Sequence, residues 1–528
     1  MSRAAPRVRR SLADVQADYD IGNKAELETL MRAWKGIKNL PPTDPRSFFM
    51  LGGLHGAPVR GTDVTDPARW GGFCQHGTVL FPIWHRAYLY ALEKALQSIP
   101  GCERVMLPFW DECSTTSRTT GIPSALTDET FVLDGKTIAN PLRSFVFPVA
   151  IVDAVEGDEQ LYGKPAGYET VRYPLSGLVG TPAERAATAA HNALFPNHAD
   201  NVALLNGNIV DWLNATLTFS KSSPQGHVYD KFIACLDAPS YTLFSNTTSM
   251  TAYNAAHPTT LVTAVESPHN SIHLAIGGFD LNSHVRTSIH GAKGDMGEND
   301  TAGLDPIFFF HHCFVDYTFW TWQKRTGATE GFAIDPDDPG AVYVASPSAG
   351  NQRPADADAA KPITMETPLH PFVKVDGTPF TTGDCVNIET QLGYGYGPGS
   401  LDQFARPAPR TMTAAAGDAK TLHVAGLDRG KIRGSFLIAV YAEIDGEKRL
   451  IGHEAVLSGW HIAGCTNCQG HLPAGADFRV PGKHAANGAL RIEVRTHEGP
   501  VGGAPQPVNK AGVTALKAVA PAFTVELR

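Results

Sequence analysis

The sequence predicts a mainly α-helical domain, a four-helix bundle with long loops over residues 1–397, and an all-β, sandwich-like domain over residues 421–528. Residues 398–420 join them. Three observations lead there. A chain of 528 residues exceeds what one hydrophobic core usually serves. Up to Gly397, apolar residues recur at helical spacing around a set of histidines. After Tyr394-Gly-Tyr-Gly397 the composition turns to Ala-Arg-Pro-Ala-Pro and Ala-Ala-Ala-Gly, and the stretches beyond it alternate or run as strands.

In chain order, Leu12 to Ile37 reads as helix, with Leu27, Leu30, Met31 and Trp34 on one stripe and Pro41-Pro42 closing it. Ser47 to Gly77 is glycine-rich and carries His55, in Gly53-Leu-His-Gly56, and His76, in Cys74-Gln-His76, on or beside loops. Val79 to Ser98 reads as a long helix with His85 inside it. From Ser114 to Ser249 the turn signals at Pro123, Pro141, Pro148, Pro174 and Pro182 predict connection and shell. Helices return at Ser267 to Ile276 and at Pro306 to Lys324, so the histidines sit mostly on helices that can face one another in a bundle. Asp335 to Ala360 is expected to be a surface insertion. Gly434 to Glu443, Ala489 to Arg495 and Phe523 to Leu527 read as strands of the second domain.

A net charge of −9 argues against nucleic acid or an anionic membrane as partner, because no basic field offsets phosphate repulsion. The basic stretch from Arg3 to Arg10 is followed by no apolar core of signal-peptide length, and no run is long enough to span a bilayer, so a cytoplasmic location is expected. The eight cysteines are too sparse for a disulfide scaffold. A homo-oligomer is compatible with all of this.

The histidines carry the chemistry. In Glu266-Ser-Pro-His-Asn-Ser-Ile-His273, His269 and His273 project from one helical face as neighbours, a spacing suited to two ligands of one metal. Such a pair alone also occurs on ordinary helices. In Asp305-Pro-Ile-Phe-Phe-Phe-His-His-Cys-Phe-Val-Asp316, His312 and Asp316 share a face while Phe308 to Phe310 wrap the apolar side. With His55, His76 and His85 upstream, there are two sets of three. Neutral imidazoles without a carboxylate suit copper or zinc rather than magnesium or calcium. One set plus water would satisfy zinc. Two sets on their own helix pairs point to a dinuclear site facing a shared small ligand, a role that fits two redox-active copper ions better.

Cys74-x-His76, Trp84-His85-Arg86, Leu107-Pro-Phe-Trp-Asp111, His269-Asn270-x-x-His273, Gly277-Gly278 and the Asp305 to Asp316 stretch together resemble the tyrosinase and catechol oxidase family of type-3 copper proteins. The resemblance covers about Arg9 to Gly397, and the tail is similar to the C-terminal domain of long fungal-type tyrosinases. It implies that His55, His76 and His85 hold one copper and His269, His273 and His312 the other, with His311 outside the ligand set. It also implies dioxygen and small phenols as the partners, with ortho-hydroxylation of monophenols and oxidation of o-diphenols to o-quinones. A catechol oxidase or o-aminophenol oxidase without hydroxylation, and a haemocyanin-like oxygen carrier, share the motifs and stay open at this point.

The same resemblance implies a thioether from Cys74 to His76, and a water held by Glu266 and Asn270 that can deprotonate the phenol. The family's substrate gate, thirteen positions before His312, falls on Asn299. Asp316 is expected either to orient His311 or a neighbouring ring, or to serve a salt bridge. Arg9 is expected to pin the N-terminus to Tyr394-Gly-Tyr396 by a cation–π contact. In the tail, Trp460 is a candidate wedge over the site, with a core or edge aromatic of the β-domain as the alternative. Cys465-Thr-Asn-Cys468 is a candidate copper(I) delivery pair, with a structural or redox pair as the alternative.

Overall fold

The computed structural model describes residues 7–56, 72–153, 161–214, 227–281, 293–342, 362–406, 419–444, 446–462, 470–480, 490–501, 513–515 and 523–528. Four helices organise the larger domain: α1 (Ala25–Lys38), α2 (Phe81–Gln97), α3 (Glu266–Gly277) and α4 (Ile307–Thr326). α1 buries the predicted stripe of Leu27, Leu30, Met31 and Trp34. The Trp34 ring stacks on Phe310 at 5.7 Å and meets Phe309 edge-on at 5.9 Å, so two rings of the Phe308 to Phe310 run face outward to α1. The third, Phe308, faces inward onto His55 and His312, at 4.7 and 4.1 Å between ring centres. α4 is buried from Ile307 to Gln323, as a helix that is apolar on every side must be.

Two expectations need correction. The periodic stretch from Leu12 to Ile37 is two helices, Leu12–Asp20 and Ala25–Lys38, because Gly22 takes φ = +102° and turns the chain between them. The segment from Ser114 to Ser249 is more than connection: it includes helices Pro182–Asn192, His198–Asn214, Val228–Cys235 and Tyr241–Ser245, and a further helix begins at Thr247. The prolines were misleading. Pro182 sits at the start of a helix behind a Thr181 capping box with Glu184, where a missing N–H costs nothing. Helix His198–Asn214 backs α3 through Asn208, whose amide donates to the carbonyls of Ala275 and Phe279.

The tail forms two four-stranded antiparallel sheets. With strands β1 (Lys420–Asp428), β2 (Phe436–Ile444), β3 (Glu447–Val456), β4 (Pro473–Val480), β5 (Leu490–Thr496), β6 (Gly499–Val501), β7 (Val513–Ala515) and β8 (Thr524–Leu527), the orders are β3-β2-β5-β6 and β4-β1-β8-β7. Leu422, Val424, Ile438, Val440, Phe478 and Val494 fill the space between the sheets. The other face of β2 and β3 is apolar too. Leu437, Ala439 and Ala455 join the core of the helical domain, which is why β2 reads as a continuous apolar run instead of an alternating one. The predicted linker is described only at its ends, since residues 407–418 lie outside the described residues, as do 343–360 of the predicted insertion.

Asp316 ties the N-terminus to the bundle. Its carboxylate accepts from Tyr394 Oη and Tyr396 Oη, both at 2.6 Å, and from Arg86 Nε at 2.6 Å. Arg9 lies 3.7 Å over the Tyr394 ring, as expected, and donates to Glu93 at 2.9 Å. Of the two roles open to Asp316, the salt bridge is the one observed. Burial pushes its carboxyl upward, but Arg86 and Arg9 together hold it below the usual carboxylate range. Asp316→Ala would leave the buried Arg86 guanidinium without its carboxylate, while Arg9 keeps Glu93, at a cost of about 3–5 kcal/mol. We expect the melting temperature of the Asp316→Ala protein to fall by several degrees or more; an unchanged melting curve would show the network to be dispensable.

Candidate metal centre

Three elements bring the first histidine set together. His55 follows the short helix Phe48–Gly53, His76 lies on the loop after Cys74, and His85 points inward from α2, and their ring nitrogens lie within 4.8 Å of one another. The glycine after His55 is required: a Cβ on Gly56 would lie 2.1 Å from the Asn299 carbonyl oxygen, the acceptor for His55 Nδ1 at 3.2 Å. The second set is His269 and His273, one turn apart on α3, with His312 and also His311 from α4, again within 4.8 Å. His85 stacks on His312 at 4.2 Å, so the two sets share one cavity wall to wall.

Hydrogen bonds fix the proton of most of these rings. A carbonyl oxygen can only accept, so His85 Nδ1 donates to Phe81 O at 2.7 Å and His273 Nδ1 to Met296 O at 2.8 Å. His269 Nδ1 donates to Asn270 Oδ1 at 3.0 Å. Each ring is thereby left with an Nε2 lone pair, and the Nε2 atoms of His55, His76, His85, His273 and His311 are buried without a hydrogen-bond partner. His269 Nε2 lies 3.1 Å from His312 Nε2. Burial pushes the imidazolium pKa of His55 and His273 down to about 3 and those of the others well below the usual value, so the rings are neutral at any working pH. Neutral imidazoles with locked tautomers and converging lone pairs are what a metal of copper or zinc type requires.

His311 is the residue that sequence reasoning set aside. Its Nδ1 meets Glu112 Oε1 at 2.5 Å, both side chains fully buried, and its Nε2 belongs to the cluster. Burial raises the Glu112 carboxyl well above its usual range. The only signal for Glu112 was its place beside the Leu107-Pro-Phe-Trp-Asp111 motif, which the reading ended one residue early.

The remaining candidates fall around this cavity in different ways. Glu266 is buried and already committed: Oε1 accepts from Gly77 N at 2.9 Å, and Oε2 from Thr247 N and Oγ1 at 2.8 and 3.1 Å. Burial raises its carboxyl above the usual range in spite of these bonds. Asn270 is 4% exposed and holds His269. Cys74 is buried with its thiol pushed up to about 11 by burial, and its sulfur lies 3.5 Å from Asn299 Nδ2. Asn299 is therefore wedged between His55 and Cys74, and its own N–H donates to Ser458 O of the tail at 3.3 Å. Trp460 packs on Tyr162 and His497, at 5.6 and 4.7 Å between ring centres, and its backbone N–H donates to Asp300 at 2.7 Å. The rings that line the histidines are instead those of Phe81, Trp84 and Phe308. Cys465 and Cys468 lie outside the described residues.

Comparison with known proteins agrees with this geometry. A family model described as the common central domain of tyrosinase matches residues 45–325. The chain is 50% identical to a tyrosinase of a Hahella species, covering 89% of this chain and 88% of that one, and 38% identical to a tyrosinase of Aspergillus oryzae, covering 91% and 92%. Among solved structures, a tyrosinase from Burkholderia thailandensis superposes with a TM-score of 0.79 at 48% identity, covering 93% of this chain and 95% of that one.

Glu112→Ala should free the His311 ring to turn. Loss of such an outer hydrogen bond commonly weakens metal retention about 10–100-fold. Competition against a copper chelator measures this, and retention equal to the unaltered protein would make His311 a bystander.

Proposed function

The chain belongs to the tyrosinase family, and from that membership we propose how its own residues divide the work. Its activity is the copper-dependent oxidation of phenols by dioxygen: hydroxylation of monophenols at the ortho position and oxidation of o-diphenols to o-quinones. The bound copper pair supplies the dioxygen activation. The observation that carries the assignment of ligands is the set of buried Nε2 atoms without partners, which converge from His55, His76 and His85 on one side and from His273 and its neighbours on the other. In this reading His55, His76 and His85 hold the first ion, and His269, His273 and His312 the second, with His311 adjacent to it.

The protein residues then orient, exclude water and handle protons. Asn270 fixes the His269 ring, and Glu266 holds the loop that carries His76 through Gly77. A phenol has a pKa near 10 and must lose its proton to bind as phenolate. A carboxylate offers about four acceptor positions; three donors reach Glu266, which leaves room for the water the family places between it and Asn270. Cys74 sits where a thioether would fix His76. Asn299 at the gate position is small and lies beside His55 and Cys74, so in this reading it leaves the side of the first ion open to monophenols as well as diphenols.

We read the tail as a lid. α3 packs along β3, Lys231 links Ser267 of α3 to Glu454 of β3 at 3.2 and 2.8 Å, and Asn299 and Asp300 bond to the backbone at Ser458 and Trp460. Trp460 contributes as an anchor in the Tyr162 pocket, and the wedge role has no contact to support it.

Two outcomes test the assignment. Purified protein should carry two coppers per chain, and His312→Ala or His85→Ala should lose one of them with nearly all oxidation of a catechol; full activity in His312→Ala would end the ligand assignment. Truncation after Gly397 should raise phenol turnover and shorten any lag. A truncated, copper-loaded protein with unchanged turnover would remove the lid, whereas a copper-free product would favour delivery by Cys465 and Cys468.

A further inference from the structure

The tail places one charge in the wall of the metal centre that neither the ligand set nor the lid contacts account for. Arg429 sits in the turn Arg429–Lys431 after β1, 8% exposed, held by its backbone N–H to Leu472 O at 2.9 Å. Leu472 follows His471, and a side chain added at Gly77 would come within 3.3 Å of the His471 Cβ. This turn therefore lies against the loop that carries His76. Burial lowers the Arg429 pKa, and the groups that oppose the lowering are Glu266 and Cys74, both of the centre; its charge is felt at His76 as well.

Among the described residues the guanidinium has no hydrogen-bond acceptor. Its Nε is buried without a partner, and among the described residues no side-chain hydrogen bond or ion pair reaches Arg429. Glu266 offsets the Arg429 charge through space, while its hydrogen bonds run to Gly77 and Thr247. The neighbouring Asp428 turns the other way, capping Gly430 and pairing with Lys431 at 3.4 Å. A buried cation without a hydrogen-bonded acceptor is costly, and an arriving anion that supplies the acceptor offsets that cost. A guanidinium presents a planar fork that matches a carboxylate.

We propose that Arg429 is a specificity-determining residue which, with the tail in place, receives the carboxylate of an aromatic acid whose ring enters among the histidines, so that phenols bearing an acidic side chain are preferred over neutral ones. This rests on the reading of the centre as a phenol oxidase. A phenol with its hydroxyl toward the Nε2 atoms directs its para substituent away from them, and in this proposal that substituent is what Arg429 meets.

Benzoate and benzamide differ in charge at nearly equal shape, and neither is oxidised at this centre. Titrated calorimetrically into full-length, copper-loaded protein, benzoate should bind at least about 10-fold more tightly than benzamide. In Arg429→Gln that advantage should be lost, the two ligands binding about equally, and Arg429→Lys should recover part of it. The ratio of kcat/KM for 4-hydroxyphenylacetate to that for 4-ethylphenol should fall in parallel. Without ligand, Arg429→Gln should melt no lower than the unaltered protein, since it removes an unpaired charge; a fall of several degrees would make Arg429 a structural residue and overturn the proposal. Equal binding of benzoate and benzamide by the unaltered protein, unchanged benzoate affinity in Arg429→Gln, or binding of chloride and phosphate in place of the aromatic acid would each overturn it as well. If Arg429→Gln is insoluble, the two-ligand comparison on the unaltered protein and on Arg429→Lys decides. Should neither phenol be oxidised while benzoate still depends on Arg429, the failure belongs to the phenol-oxidase reading.

Discussion

Imidazoles packed wall to wall in a dry core can be neutral or they can be apart, but they cannot be charged together. Like charges at ring separations such as the 4.2 Å between His85 and His312 would repel strongly in a low dielectric. The fold therefore has to deliver neutral rings, and a neutral ring must place its one proton. The outward acceptors do that: Phe81 O for His85, Met296 O for His273, Asn299 O for His55, Asn270 for His269 and Glu112 for His311. Much of the loop structure around the centre exists to aim these acceptors, including the 3₁₀ turn Asp295–Gly297 that presents the Met296 carbonyl.

What the sequence made legible was the part with a period. His269 and His273 share a helix face because they are four apart, and the Phe308 to Phe310 run has to be buried on every side. The stripe on α1 marked its inner face, and the apolar run in β2 marked a strand, which the structure shows to be covered on both faces. The two-domain division follows from the same kind of signal, a change of period from 3.6 to 2 after a proline- and alanine-rich stretch.

The rest depends on contacts between segments far apart in the chain, which carry no period. Glu112 and His311 are 199 residues apart, and nothing local marks the pair. Asp316 lies one turn from His312 on the helix, which suggests a partner for a ring, yet three donors from Arg86, Tyr394 and Tyr396 claim it. Gly22 breaks an otherwise continuous helical stripe because one residue with positive φ outweighs the propensity of its neighbours. The helices between Ser114 and Ser249 were hidden by prolines at helix starts and in loops, where proline is tolerated. Trp460 had two roles open to it, a wedge over the centre or an ordinary core aromatic, and its ring packs with Tyr162 and Leu178, contacts that no local pattern marks.

Asn299 shows why the tail and the centre cannot be treated separately. Its carbonyl holds the His55 tautomer, its side-chain amide rests on Cys74, and its N–H is bonded to Ser458 of the tail. One peptide unit away, Asp300 accepts from Trp460, and burial pushes its carboxyl up to about 6. A displacement of the tail therefore acts on the backbone that positions a ligand histidine as well as on access to the cavity. A lid attached at the rim would alter entry alone. Here the same short segment, Glu298 to Asp300, is at once part of the scaffold of the first histidine set and part of the seam, so the position of the tail and the shape of that set are mechanically one variable.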